Sequence, residues 1–284
     1  MRVVDLPNCG YLEDYSIAVG QTQLLVSLTP KGYIDVCSLI KRAFPQAKCV
    51  MREDKTPWFG GQIIAISGSS PNHSELKQYL CLLKDHLTID TSLDEYHALG
   101  LYSTPMEKDW GTDWQYTWIG KLVNKAKYSK DENVAGQIAD HFANFIEAHP
   151  CYRRAKFIVS VPRAGKSDTL DLSCLMVKRI AGKLHKTMIM ARKVRATKPQ
   201  KDLWESDDIR VYRRNIKGSM RVDKSMSGYA VILVDDTSRS CATLEELGRA
   251  CRTAGAIEVL GLTAARDAKF TQGIDLSEGP WHEQ

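Results

Sequence analysis

No Cys-x-x-Cys pair occurs among the eight cysteines of this chain, which argues against a zinc ribbon. The thiols are scattered at Cys9, Cys37, Cys49, Cys81, Cys151, Cys174, Cys241 and Cys251, as expected for reduced thiols in a cytoplasm. No apolar run approaches a membrane span, and the opening Met1-Arg-Val-Val-Asp5 lacks the apolar core of a secretory leader. The expected location is therefore cytoplasmic, with no membrane partner. There is no internal repeat and no low-complexity tract. Nor does one charge sign dominate: the net charge of +5 suits phosphate-bearing ligands but is too small to argue for nucleic acid by itself. His73-Ser-Glu75 has the His-x-Glu of zinc deaminases, but no Pro-Cys-x-x-Cys follows it. His73 reads as a surface residue near a helix start, and His141, beside an apolar stripe, as structural.

What is present is an ordinary globular composition, 43% hydrophobic and 26% charged, over 284 residues, enough for one large core or two smaller ones. Residues 1–112 read as an α/β unit of their own. Ser16 to Leu28 carries apolar residues at near-alternate positions, predicting a strand or hairpin. Ile34, Cys37, Ile40 and Phe44 fall on one helical face. Gln62 to Ser67 predicts a strand and Asn72 to Leu87 a helix. Glu107 to Trp118 is turn-rich, with Gly111 and three tryptophans that suit packing better than base stacking. It marks the predicted domain boundary.

Residues 113–284 alternate helix and strand. Helices are predicted over Glu132 to Ala148, Thr169 to Leu184 and Thr243 to Thr253. Strands are predicted over Lys156 to Val161, Thr187 to Ala191, Tyr229 to Val234 and Ile257 to Thr263. Such alternation implies a parallel sheet covered on both faces, an α/β fold. The interval between Ala191 and Gly228 breaks the pattern. It is rich in Lys, Arg and Asp and reads as a long functional or disordered loop.

The most informative stretch is Tyr229-Ala-Val-Ile-Leu-Val-Asp-Asp-Thr-Ser-Arg-Ser-Cys-Ala-Thr-Leu244. An aliphatic strand delivers two carboxylates, Asp235 and Asp236, to its C-terminal edge, where open α/β sheets bind ligands. Small hydroxyl residues then lead into a helix whose first amides are ready donors for phosphate. The acidic pair suits sugar hydroxyls or a hydrated magnesium ion.

This run resembles the phosphoribosyl pyrophosphate (PRPP) signature of type I phosphoribosyltransferases: an aliphatic strand, Asp-Asp, two variable residues, Thr-Thr-Gly, one variable residue and Thr. Asp235 and Asp236 match the ribose-binding acids. Thr237 and Ser238 take the variable places, and Arg239 and Ser240 stand where the family has Thr-Thr. Cys241 stands in place of Gly, Ala242 takes the next variable place, and Thr243 matches the last Thr. A Cβ at position 241 narrows the phosphate cradle or demands an unfavourable backbone angle.

Within that family, residues 113–284 resemble the competence-associated ComF group. Ile119-Gly-Lys-Leu-Val-Asn-Lys-Ala-Lys-Tyr128 looks like its Leu-Lys-Tyr segment, and Val159-Ser-Val-Pro162 like its Pro-Val-Pro loop. Arg192-Lys-Val-Arg-Ala-Thr-Lys-Pro-Gln200 looks like its Arg-x-Arg-x-Thr-x-x-Gln run, and Arg214-Asn-Ile-Lys-Gly218 like its Arg-x-x-Asn-Leu-x-Gly run. The four-cysteine zinc finger common in that group is absent. The resemblance implies a type I phosphoribosyltransferase fold with a long basic loop and an added N-terminal α/β domain.

The same resemblance implies transfer of phosphoribose to a nitrogenous acceptor with release of pyrophosphate. Magnesium would arrive with PRPP. Asp235 and Asp236 would hold the ribose hydroxyls as the catalytic acids, and the residues from Thr237 to Thr243 the 5′-phosphate. Arg163 and Lys166, after the Lys156–Val161 strand, are placed for pyrophosphate, and Arg192 and Arg195 for closure over it with guanidinium forks. The acceptor hood would be residues 1–112, the 192–218 loop, or both. Related folds often form homodimers.

Two other readings stand beside this one. Pro162-Arg-Ala-Gly165-Lys166-Ser167 resembles a phosphate loop of nucleoside triphosphatases, but Ser160 occupies the place of its first glycine. Arg239 and Cys241, the basic loop and the extra domain also fit a non-catalytic subunit. It would bind PRPP, a nucleotide or DNA, with a protein partner in a DNA-processing, competence-like or phage-defence assembly.

Overall fold

A computed structural model describes residues 9–32, 34–52, 61–68, 71–108, 111–163, 171–203 and 208–270. The chain begins with a hairpin, β1 (Cys9–Val19) and β2 (Leu24–Gly32), then α1 (Val36–Ala43), β3 (Lys48–Met51), β4 (Gln62–Ser67) and α2 (His73–Asp85). Next come β5 (Leu87–Ile89), β6 (Glu95–Leu101), the hairpin β7 (Ser103–Lys108) and β8 (Gly111–Tyr116), and the helices α3 (Trp118–Tyr128), α4 (Glu132–Ala148) and α5 (Pro150–Arg154). The remainder is β9 (Phe157–Ser160), α6 (Leu172–Lys183), β10 (Thr187–Lys193), α7 (Ile209–Ile216), β11 (Met220–Val222), β12 (Ala230–Ser238), α8 (Ala242–Thr253) and β13 (Glu258–Arg266).

The architecture is α/β, as the alternation predicts. One eleven-stranded sheet runs in the order β11-β10-β9-β12-β13-β6-β5-β1-β2-β4-β3. Its centre, β10-β9-β12-β13-β6, is parallel throughout. Antiparallel β11 flanks one side, and the antiparallel run from β5 to β3 flanks the other. The predicted boundary at 112/113 falls within the β7–β8 hairpin. Strand β6, on its N-terminal side, pairs with β13 from Glu95↔Leu260 to Leu101↔Arg266.

Aliphatic runs explain the parallel centre. Val231, Ile232, Leu233 and Val234 are all fully buried, as befits a strand covered on both faces. Alternate side chains feed two cores. Ile232 and Val234 pack with α3, α4 and α6, whereas Val231 and Leu233 pack with α7 and α8. Helix α4 follows its predicted span, with Val134, Ile138, Phe142 and Phe145 buried and Asp131 as its cap. Helix α2 begins at His73, which is exposed, under an Asn72–Glu75 capping box.

The interval after Ala191 is folded rather than a continuous loop. It holds the 3-10 turn Gln200–Leu203, helix α7 and strand β11. The reason is apolar spacing hidden among charges: Ile209, Tyr212 and Ile216 form a helical stripe and are buried. Arg213 then clamps α7 to α8 through Glu245, with Nε–Oε2 2.8 Å and Nη2–Oε1 2.9 Å.

Candidate functional site

Chain order fixes where a crevice must open. From β9 the chain passes outward to β10 and later returns to β12 on the other side of β9. Such a reversal leaves a gap beyond the carboxyl ends of the two strands. Strand β9 stops at Ser160, opposite Val234, but β12 continues to Ser238 because β13 still pairs with it. The strand thus outruns its predicted end at Val234. Asp235 and Asp236 lie in this overhang, where β13 alone among the described strands supports the backbone. A cavity of about 380 Å³ opens there. Asp235, Asp236, Thr237, Ser238, Arg239, Ser240, Cys241 and Thr243 line it, with Tyr102, Lys127, Tyr128, Leu244 and Asp267.

The acidic pair is held asymmetrically. Asp236 accepts from Lys127 Nζ of α3 at 2.9 Å. Burial pulls the Lys127 ammonium down, but Asp236 outweighs it and keeps the lysine cationic. Asp235 accepts from Ser173 Oγ of α6 at 3.1 Å and from the Asp236 amide at 2.9 Å. Burial first, then repulsion from Asp236, raises the Asp235 carboxyl to about 7. One member of the pair therefore exchanges a proton near neutrality.

The turn from β12 to α8 is braced from beneath. Arg266, fully buried on β13, donates through Nη1 to Ser238 Oγ at 3.1 Å and to Cys241 Sγ at 3.0 Å. Arg239 Nε reaches Asp267 Oδ2 at 2.8 Å, tying the turn to the exit of β13. Cys241 is the residue before α8 and takes φ +61° and ψ −9°, a left-handed conformation. This is the unfavourable angle that the sequence predicts for a side chain in a glycine place. Its cost is about 1–2 kcal/mol. Burial also pushes the Cys241 thiol up, so it stays protonated. Ala242 is buried as the first residue of α8.

The other predicted residues lie elsewhere. Arg163 is half-buried, three positions beyond β9, and Lys166 lies outside the described residues. Arg192 pairs with Asp223 at 2.6 Å, and Arg195 donates to the carbonyls of Asn215 at 2.9 Å and Lys217 at 2.7 Å. Among the described residues, the cavity lining includes none of Arg163, Arg192 and Arg195. Sequence reasoning missed Lys127, Ser173, Arg266 and Asp267. Lys127 had a signal, since it lies in the Ile119–Tyr128 segment. The other three are brought in by sheet topology, which no local pattern announces.

No family model matches this chain, and no curated protein matches it. Solved structures do. The chain is similar to orotate phosphoribosyltransferase from Aeropyrum pernix at 14% identity, covering 56% of this chain and 71% of that one, with a TM-score of 0.32. It is similar to purine phosphoribosyltransferase from Pyrococcus horikoshii at 15% identity, covering 52% and 89%, with a TM-score of 0.32. Adenine phosphoribosyltransferase from Trypanosoma brucei, solved with AMP, pyrophosphate and ribose-5-phosphate, is 13% identical over 66% of this chain and 90% of that one, with a TM-score of 0.36.

Proposed function

We propose that the cavity at the end of β12 binds PRPP and that the protein transfers phosphoribose to a nitrogenous acceptor, releasing pyrophosphate. The observation that carries this reading is the placement of Asp235 and Asp236. They sit in the overhang of a parallel strand at the sheet's reversal point, one tight turn before the amide-rich start of α8. Carboxylates at that place accept from a ribose diol, and the turn amides with Ser240 and Thr243 hydroxyls donate to a 5′-phosphate.

The oxygen donors of Asp235, Asp236, Ser240 and Thr243 suit a hard magnesium ion. It would arrive with PRPP beside Asp235 and Asp236 and would neutralise charge on the departing pyrophosphate. The chain's own part is positional and electrostatic. Ser173 and Lys127 fix the two carboxylates, and Asp235 and Asp236 then stabilise positive charge growing on the sugar. Segment 113–284 would carry the sugar-phosphate site. Segment 1–112 and the 192–218 stretch would shape the acceptor side, and pyrophosphate would draw Arg192 from Asp223 and Arg195 from the carbonyls of Asn215 and Lys217, with Arg163 and Lys166 beside them.

Calorimetric titration with PRPP and magnesium tests binding, and pyrophosphate release across purine and pyrimidine bases tests transfer. The reading requires binding that the Asp235→Asn, Asp236→Asn double variant abolishes. A wild-type protein that ignores PRPP would overturn it. Binding without pyrophosphate release from any base would place the chain among non-catalytic PRPP binders.

A further inference from the structure

A second cluster of chemistry-bearing side chains lies far from the acidic pair. Glu95 begins β6 and pairs with Leu260, whereas Asp235 sits two strands away, level with Thr263 and Ala98. Glu95 and His97 are two residues apart on one strand, so their side chains leave the same face. His149 reaches them from the corner between α4 and α5. All three side chains are fully buried.

We propose that Glu95, His97 and His149 form a binding site for one divalent ion of the zinc class, pinning the α4–α5 corner to β6. Nε2 of His97 and Nε2 of His149 each lie 2.8 Å from Oε1 of Glu95. The potential ligand atoms of the three residues all fall within 4.8 Å of one another. Two imidazoles and one carboxylate form a common three-ligand zinc set, with further positions left for water or a neighbour.

Hydrogen-bond accounting separates this cluster from an ordinary buried network. His97 is satisfied: Nε2 meets Glu95, and Nδ1 lies 3.4 Å from Thr88 Oγ1. His149 Nε2 pairs with Glu95 at the same distance, but its Nδ1 is buried without a hydrogen-bond partner among the described residues. Glu95 Oε2 and the Tyr79 hydroxyl are likewise buried without one. The Tyr79 and His149 rings stand 5.0 Å apart edge to face. Buried polar atoms are nearly always paired, so several orphans around one carboxylate mark the place of a missing group. Two imidazole nitrogens converging on one carboxylate oxygen fit shared ligation of a cation. A cavity of about 220 Å³ opens beside the start of β6, lined by Arg42, Asp90, Asp94, Glu95 and Tyr96.

The test uses the full chain purified without a metal-chelating tag. Elemental analysis should find about one zinc per chain. Chelation should lower the melting temperature, and added zinc should restore it. Cobalt(II) added to the stripped protein should give a visible ligand-field band, and His149→Gln should remove both metal and band. If His149→Gln does not fold, the wild-type cobalt band decides the question by itself. A stripped wild-type protein with no band and no melting shift on adding zinc overturns the proposal. So does a folded His149→Gln that keeps its metal, because the ion then sits elsewhere. None of these readouts depends on PRPP.

Discussion

Lys127 Nζ stands 2.9 Å from Asp236 Oδ1, so helix α3 supplies a fixed positive charge to the acidic end of β12. Only 29% of the lysine side chain and 15% of the aspartate side chain are exposed, and the pair is therefore weakly screened. Replacing Lys127 by Met leaves Asp236 largely desolvated and unpaired by Lys127 beside a second carboxylate. Stability at pH 8 should fall by about 2 kcal/mol, and urea midpoints for the two proteins would measure it. The loss should shrink at pH 5, where Asp235 is protonated and the repulsion is gone.

Asp235 gives the protein a pH dependence of definite sign. Its folded value, raised to about 7 by burial and by Asp236, exceeds the ordinary carboxylate value. The folded state therefore holds a proton that the unfolded chain has released. This contribution is complete below the unfolded value, shrinks as pH rises, and is gone once pH passes about 7. Asp235→Asn removes the titration. The variant should gain on wild type by on the order of 2 kcal/mol between pH 5 and pH 8, as read from paired unfolding curves.

Cys241 combines a strained backbone with a useful sulfur. Cys241→Ala loses the contact with Arg266 and keeps the left-handed angle. Cys241→Gly loses the contact and relieves the angle. Glycine at this place should be more stable than alanine by about 1 kcal/mol, and thermal melts of the two variants would check it. The glycine form should also bind PRPP more tightly than the alanine form, because it removes the Cβ from the proposed phosphate cradle.

Gly120 sits where α3 presses on the end of β6. A Cβ there would collide with the carbonyl of Tyr102, backbone against backbone. Gly120→Ala must push α3 outward and carry Lys127 away from Asp236. A loss of about 3 kcal/mol is expected, visible as a lower melting temperature and poorer soluble yield.

The legible parts of the fold were those with local cause. The apolar stripe Val134–Ile138–Phe142–Phe145 gave α4, and the aliphatic run before Asp235 gave β12. Asp235, Asp236 and the turn residues to Thr243 were legible because strand, acids and turn are contiguous in the chain. Arg266, Ser173 and His149 were not, since each acts only after sheet order has brought distant segments together. Helix α7 was hidden for another reason: its buried Ile209, Tyr212 and Ile216 are outnumbered by arginines and lysines around them.

Strand β6 also sets how this molecule can be divided. Removing everything before residue 113 would take away β6 and strip β13 of its neighbour along Leu260–Arg266. That margin would present unsatisfied amides and carbonyls beside Leu260 and Leu262, a ready template for association with other chains. Any shortened version meant to retain the sugar-phosphate pocket must therefore begin ahead of Glu95.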